Sequence, residues 1–165
     1  EQHYREGLEN EPGDKYLLRT YADYLLDHGR EKEVLSLLRD HSNDTGILLR
    51  VAIAAKRLGE HSLAAKWQAQ LEGRFEEIRL RGSEPHGRFE SRCALELRAD
   101  PQQALALGLA NWKKQKEPRD TRNVLEAALA AGDSDRAQPV IAFLQQHGTE
   151  DAVLQKLVVQ LGGHG

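Results

Sequence analysis

Few side chains in this sequence are suited to covalent or acid–base chemistry, and Cys93 is the most reactive of them by type. It is the single cysteine, which excludes an intramolecular disulfide, a CxxC redox pair and a cysteine-rich zinc site. The adjacent Arg92 would favour a thiolate, but Cys93 shares an apolar helical stripe with Phe89 and Leu97, where free cysteines are usually buried. We therefore expect a structural cysteine, and an enzyme that uses Cys93 or a histidine is the least favoured function.

The histidines and the acidic pairs also lack catalytic or metal-binding spacing. Seven histidines are scattered along the sequence, and none has the HxxxH or HExxH spacing that places two ligands on one helix face. The pairs Glu31/Glu33 and Glu76/Glu77 come with no motif for a pocket, so we expect them on solvated helix faces rather than in acid–base catalysis. The sequence predicts no catalytic residue, no metal ligand and no cofactor.

Charge and hydropathy restrict the partners. The 23 Lys and Arg against 26 Asp and Glu give a formal net charge of −3, which argues against general attraction to nucleic acid or anionic lipid. The basic run beside Trp112, residues 112–116, fits a lysine-rich helix C-terminus better than the alternative, a nucleic-acid contact. No apolar run approaches the ~20 residues that cross a bilayer, so direct membrane insertion is not expected.

The sequence begins at Glu1, contains no Met and shows no signal peptide. These features indicate a processed product or an excised fragment of a larger protein. The compartment of the parent protein, cytoplasmic or periplasmic, stays open. The glycine-rich tail at 162–165 is expected to be loose.

A recurring pattern of small residues predicts helix pairs joined by tight turns. Apolar residues recur at three and four positions, and alternating β-strand patterns are nearly absent. Four small residues each end an apolar stretch, and a small or β-branched apolar residue follows five positions later. The pairs are Gly29/Val34, Gly59/Ala64, Ala99/Ala104 and Gly132/Ala137, with spacings of 30, 40 and 33 residues.

Further signals place helix ends. Asp100-Pro101 and Glu117-Pro118 are typical helix starts, with an N-cap followed by proline at the first position. Gly73 lies inside a predicted helix with the apolar stripe Ala64, Trp67, Leu71, Phe75 and Ile78, and we expect a bend or a break at that glycine.

These features resemble the tetratricopeptide repeat (TPR) family. Tyr21-Ala22 stands where the family has an apolar–small pair, Leu25 follows one turn later, and Gly29 marks the turn between helices. The resemblance implies an all-α, right-handed α–α superhelix of antiparallel helix pairs in one domain. Its segments are 1–13, the end of an upstream repeat; 14–44, repeat 1; 45–84, repeat 2 with an extended second helix or insertion; 85–117, repeat 3; 118–148, repeat 4; and 149–162, a terminal capping helix.

The resemblance also implies a binding groove, because the first helix of each pair usually lines the concave face in this family. Some members clamp a peptide carboxylate with a Lys/Asn pair, but Arg19/Asp23 stands there in this sequence and an Asp would repel a carboxylate. Arg119 and Arg122 are suited to another acidic segment. The expected groove residues are Tyr16, Arg19 and Asp23 on the first helix; Leu49, Ile53 and Lys56 on the second; His86, Phe89, Cys93 and Glu96 on the third; and Arg119, Arg122 and Glu126 on the fourth.

Two functions remain open at this point. The favoured one is a non-enzymatic scaffold that binds a peptide or protein segment in the groove. The alternative is a structural repeat segment of a larger bacterial envelope or secretion assembly protein.

Overall fold

Ten α-helices and no β-strand are formed by the residues that the computed structural model describes, 1–41 and 43–162. The predicted all-α class is therefore confirmed for these residues, and the superhelical arrangement stays a prediction. The predicted loose tail is wrong at its first residue, because Gly162 is the last residue of a helix, and the rest of it, 163–165, lies outside the described residues. The helices are α1 (Gln2–Asn10), α2 (Lys15–Asp27), α3 (Glu31–Leu38), α4 (Thr45–Arg57), α5 (His61–Leu80), α6 (Gly87–Glu96), α7 (Pro101–Trp112), α8 (Pro118–Ala131), α9 (Ser134–His147) and α10 (Ala152–Gly162).

Acidic N-caps start several of these helices. The Asp14 carboxylate accepts hydrogen bonds from the backbone N–H of Tyr16 and Leu17 at 2.7 and 3.0 Å. Asp100 accepts one from the N–H of Gln103 at 2.9 Å, and Pro101 occupies the first helical position, where its missing N–H costs nothing. Both predicted start signals, at residues 100 and 117, are confirmed.

The four small residues that the sequence singles out all turn the chain in the left-handed region. Their φ values are +67° at Gly29, +78° at Gly59, +53° at Ala99 and +64° at Gly132. After each of the three glycines, the next N–H donates to the carbonyl five residues earlier, which closes the last helical turn. These bonds run from Arg30 to Leu25 at 2.9 Å, from Glu60 to Ala55 at 2.9 Å and from Asp133 to Ala128 at 3.0 Å.

The residue five positions after each turn is buried, as the pattern predicts. Val34, Ala104 and Ala137 are fully inaccessible, and Ala64 is nearly so. A small or compact side chain there lets the second helix of a pair approach its neighbours closely. Each of the segments 14–44, 45–84, 85–117 and 118–148 contains one such helix pair.

The chain divides into two compact units, Glu1–Ser83 and Glu84–Gly165, and each has its own helix contacts. In the first unit, α4 contacts α2, α3 and α5, and all ten residues from 46 to 55 are buried. In the second unit, α7 contacts α6 and α8, and α10 packs against α8 and α9. The core of this second unit includes Leu105, Val124, Leu125, Val140 and Leu157.

The predicted break at Gly73 is wrong, because α5 runs through it as one helix of 20 residues, and the alternative, a bend, stays a prediction. A Cβ added at Gly73 would meet no atom within 4 Å, so this glycine faces open space. Its neighbours Leu71 and Phe75 are buried, and burying these side chains outweighs the ~1 kcal/mol that glycine costs in a helix interior.

The turn conformation predicts opposite effects for two matched substitutions. Ala99 adopts a conformation that disfavours a Cβ, so Ala99→Gly should raise the free energy of unfolding by about 0.5–1 kcal/mol. Gly132→Ala adds a Cβ that meets nothing within 4 Å, so its expected loss of about 1 kcal/mol is purely conformational. Urea denaturation of both variants measures these changes, and a destabilised Ala99→Gly would contradict the assigned turn.

Substitutions at two helical glycines test how closely the helices pack, and thermal denaturation measures their effect on stability. Gly73→Ala should stabilise the protein by up to ~1 kcal/mol through helix propensity alone. At Gly108 on α7, an added Cβ would lie 3.0 Å from Ser91 Oγ and 3.3 Å from Val124 Cγ2. Gly108→Val should therefore overpack this crossing and cost about 1–3 kcal/mol. Equal effects at the two sites would show that the crossing tolerates a larger side chain.

Candidate functional site

The predicted groove residues of α2 are divided between solvent and ion pairs. Tyr16, in the first turn, is 63% exposed. Arg19 and Asp23 instead pair with α4: Arg19 Nη1 lies 3.3 Å from both carboxylate oxygens of Asp44, and Asp23 Oδ2 accepts a hydrogen bond from Arg50 Nη2 at 2.5 Å. Both side chains therefore join α2 to α4, the first helices of two successive pairs.

Arg50 is the central polar residue of this arrangement, although the sequence analysis did not select it. It is 2% exposed and donates to three acceptors: the carbonyl of Arg19 at 3.0 Å, the carbonyl of Gly46 at 2.7 Å and the carboxylate of Asp23. A buried charge is tolerated when it is paired and its donors are satisfied. The signal in the sequence was a single arginine within the apolar run of α4.

The expectation that Leu49 and Ile53 form an exposed edge of α4 is wrong. Both are buried, as are their neighbours on every face of the helix between 46 and 55. The resemblance assigned one face of α4 to a ligand, but apart from Arg50 the residues from 46 to 55 are apolar or glycine, and all of them are covered. Lys56 is partly buried near the end of the helix and has interactions within the chain.

In the second unit, a buried carboxylate joins α6, α7 and α8. The Asp120 side chain is fully buried and accepts hydrogen bonds from Arg88 Nε at 2.6 Å, Asn111 Nδ2 at 2.7 Å and the backbone N–H of Glu117 at 3.1 Å. Arg88 also pairs with Glu117 at 2.5 Å. Burial alone would lower the pKa of Arg88, but the hydrogen bonds to Asp120 and Glu117 outweigh it and raise that pKa above its ordinary value.

The remaining predicted groove residues lie on α8, on α6 or at its N-cap. His86 is exposed and contacts Phe89 edge-on, with ring centroids 5.5 Å apart, and Phe89 is partly buried. Cys93 is fully buried, so its expected burial is confirmed and its expected place on the groove edge is wrong. Glu96 is partly exposed and interacts within the chain. Arg119, Arg122 and Glu126 form a partly exposed stripe on α8, and Arg122 Nε donates to Glu126 at 2.7 Å.

The same polar arrangement joins the first helices of successive pairs in both units. An arginine of the earlier helix pairs with the acidic N-cap of the later helix. Six positions after that N-cap, a polar side chain donates to the backbone carbonyl of the same arginine, at 3.0 Å in both units. The residues are Arg19, Asp44 and Arg50 in the first unit and Arg88, Glu117 and Asn123 in the second.

Metal and membrane sites can be assessed only for the described part of the chain. Over 1–41 and 43–162, no group of three or more His, Cys, Asp or Glu side chains is arranged to hold a metal ion. None of the helices in these ranges is both long and apolar enough to cross a membrane.

Comparison with known proteins adds no further constraint on the site. No protein-family model matches this chain, and no curated protein or solved structure is significantly similar to it. The TPR resemblance therefore stays a prediction, and the function has to be argued from the helix pairs and the side chains that they leave accessible.

The Asp120 network predicts a large stability effect from one carboxylate. Asp120→Ala should lower the free energy of unfolding by about 2–4 kcal/mol, because Arg88 and Asn111 lose a buried partner. Asp135→Ala on the exposed first turn of α9 is the control and should cost less than about 0.5 kcal/mol. Guanidinium denaturation of the two variants measures these losses of unfolding free energy. Equally small losses for Asp120→Ala and Asp135→Ala would show that the Asp120 network is dispensable.

Proposed function

We propose that this chain is a non-enzymatic helical-repeat protein of the TPR-like kind, which binds a peptide or protein segment. The observation that carries the proposal is the recurrence of one helix pair four times in the described residues. Each pair has a left-handed residue at its turn and a small or β-branched buried residue five positions later. Stacked helix pairs of this kind characteristically provide extended surfaces for partners rather than enclosed catalytic pockets.

We assign partner binding to the part of the predicted groove that stays accessible in the second unit. Arg88 and Asn123 hold α6 and α8 side by side, since the Asn123 side chain donates to the Arg88 carbonyl at 3.0 Å. The adjacent stripe on α8 contains Arg119 and Arg122, one turn apart, and each is partly exposed. Arginines on a rigid helix are effective anchors for carboxylates, because their donors are arranged in a planar fork.

The proposal predicts peptide binding that depends on the arginine stripe. Random peptides displayed on phage would be selected against the whole chain, and the affinities of selected peptides would be measured by calorimetry. Arg119→Gln plus Arg122→Gln should weaken the selected peptides about tenfold, which corresponds to one charge-assisted hydrogen bond. Glutamine is used because a glutamate at 122 would repel Glu126.

A matched control keeps this result interpretable. Arg136→Gln plus Lys156→Gln removes the same charge from exposed positions on α9 and α10 of the same unit, and should change affinity less than about twofold. The proposal fails if no peptide is enriched over the background, or if the two double variants weaken binding equally.

A further inference from the structure

A groove in the first unit lies between the second helices, α3 and α5, with α4 as its floor. Its volume is about 330 Å³. Its lining combines apolar and cationic side chains, and none of them belongs to the surface assigned above. The lining residues are Lys32, Leu35, Ser36, Leu38 and Arg39 from α3 and its C-cap, Val51 from α4 and Trp67 from α5.

The α3 side of the groove is a single helical stripe. Lys32, Leu35, Ser36 and Arg39 follow the spacing i, i+3, i+4 and i+7, which places them on one face of a helix. Val34 on the core side of α3 is fully buried, whereas Leu35 keeps part of its surface exposed. The groove therefore has an apolar centre with a cation at each end.

Trp67 forms the opposite wall and is less buried than Leu71 and Phe75 of the same stripe. The sequence places it in the apolar stripe of α5, where Leu71 and Phe75 are buried, yet Trp67 keeps part of its surface exposed. Its indole N–H has no hydrogen-bond partner among the described residues. The other tryptophan, Trp112, is buried and donates to Thr121 Oγ1 at 3.2 Å. Trp67 thus offers an apolar surface and an available donor.

The two cations in the groove are unpaired, whereas the other arginines of this unit are not. Within residues 1–41 and 43–83, neither Lys32 nor Arg39 has a carboxylate or carbonyl partner. The remaining arginines of the unit each make a hydrogen bond or an ion pair: Arg5, Arg19, Arg30, Arg50, Arg57, Arg74, Arg79 and Arg81. Neither cation is therefore held in a direct ion pair by the described part of the unit, and each can pair with a carboxylate of a partner.

We propose that the α3–α5 groove binds an acidic peptide segment through one apolar anchor side chain and two flanking carboxylates. The anchor packs against Leu35, Val51 and Trp67, and the carboxylates pair with Lys32 and Arg39. Seven helical residues span about 10.5 Å. In a polyproline II segment, residues three apart lie on the same face and span about 9 Å, so their carboxylates match this spacing.

A synthetic peptide probe tests this proposal on the whole chain. The probe has ten residues, with Glu and Asp on both sides of a central Leu-Phe pair and blocked ends. Its control has every acid replaced by the corresponding amide. Binding is followed by the ¹⁵N signal of the Trp67 indole, which the Trp67→Phe variant assigns because the chain has only 2 tryptophans. We expect the acidic probe to shift this signal, and its affinity to exceed that of the amide control at least about tenfold.

Neutralising the two cations should weaken this binding selectively. Lys32→Gln plus Arg39→Gln should reduce affinity about tenfold with an unchanged far-UV spectrum, since both side chains are exposed. Lys15→Gln plus Lys113→Gln removes the same charge from exposed positions outside the groove and should change affinity less than about twofold.

Three outcomes would overturn the proposal. The first is no shift of the Trp67 indole signal at about 1 mM probe, the upper limit for a useful interaction. The second is equal weakening by the two double variants, or equal binding of the acidic and amide peptides, which would indicate general attraction rather than a site. The third is a Trp67 shift that follows protein concentration without peptide, because a second copy of the chain would then occupy the groove.

Discussion

Each helix pair in this chain depends on one residue whose backbone adopts the left-handed conformation between two helices. That residue ends the first helix, directs the hydrogen bond of the following N–H back onto it, and reverses the chain within a few residues. The second helix can then approach its neighbours only if its first buried side chain is small or compact, which is the case at Val34, Ala64, Ala104 and Ala137. At the third turn, Ala99 adopts this conformation although it lacks the freedom of glycine. The geometry of the helix pair therefore outweighs the preference of alanine for negative φ.

Polar cross-links add a second level of order on top of this geometry. In both units an arginine of one first helix pairs with the acidic N-cap of the next, and a polar side chain one and a half turns later reaches the carbonyl of that arginine. Hydrogen bonds are directional, so these contacts fix the rotation and the axial shift of one first helix against the next more narrowly than apolar packing does. They also occupy Arg19 and Asp23, two side chains that would otherwise be suited to a ligand. The surfaces proposed for partners are the Arg119/Arg122 stripe in the second unit and the α3–α5 groove in the first.

The sequence predicts the helices and turns well because their causes are local. Asp100-Pro101 starts α7, and the small residues at 29, 59, 99 and 132 end helices, for reasons that involve only neighbouring atoms. Burial of a whole helix is not local. We expected Leu49 and Ile53 at an exposed edge because the resemblance assigned one face of α4 to a ligand. Apolar side chains lie on the other faces of α4 as well, and the neighbouring helices cover all of them. The groove beside Trp67 was missed because an aromatic residue at core spacing does not reveal whether the neighbouring helix covers it.

The central claim is tested most directly by the backbone conformation of Ala99 in solution. Ala99 lacks the conformational freedom of glycine, so a left-handed conformation there has to be imposed by the helix pair. The one-bond Cα–Hα coupling constant of Ala99 in a ¹³C-labelled sample distinguishes positive from negative φ. The account predicts the value of a left-handed residue, in agreement with a φ of +53°. A value in the right-handed helical range would contradict it, because α6 and α7 would then not be joined by the turn on which the repeated helix pair depends.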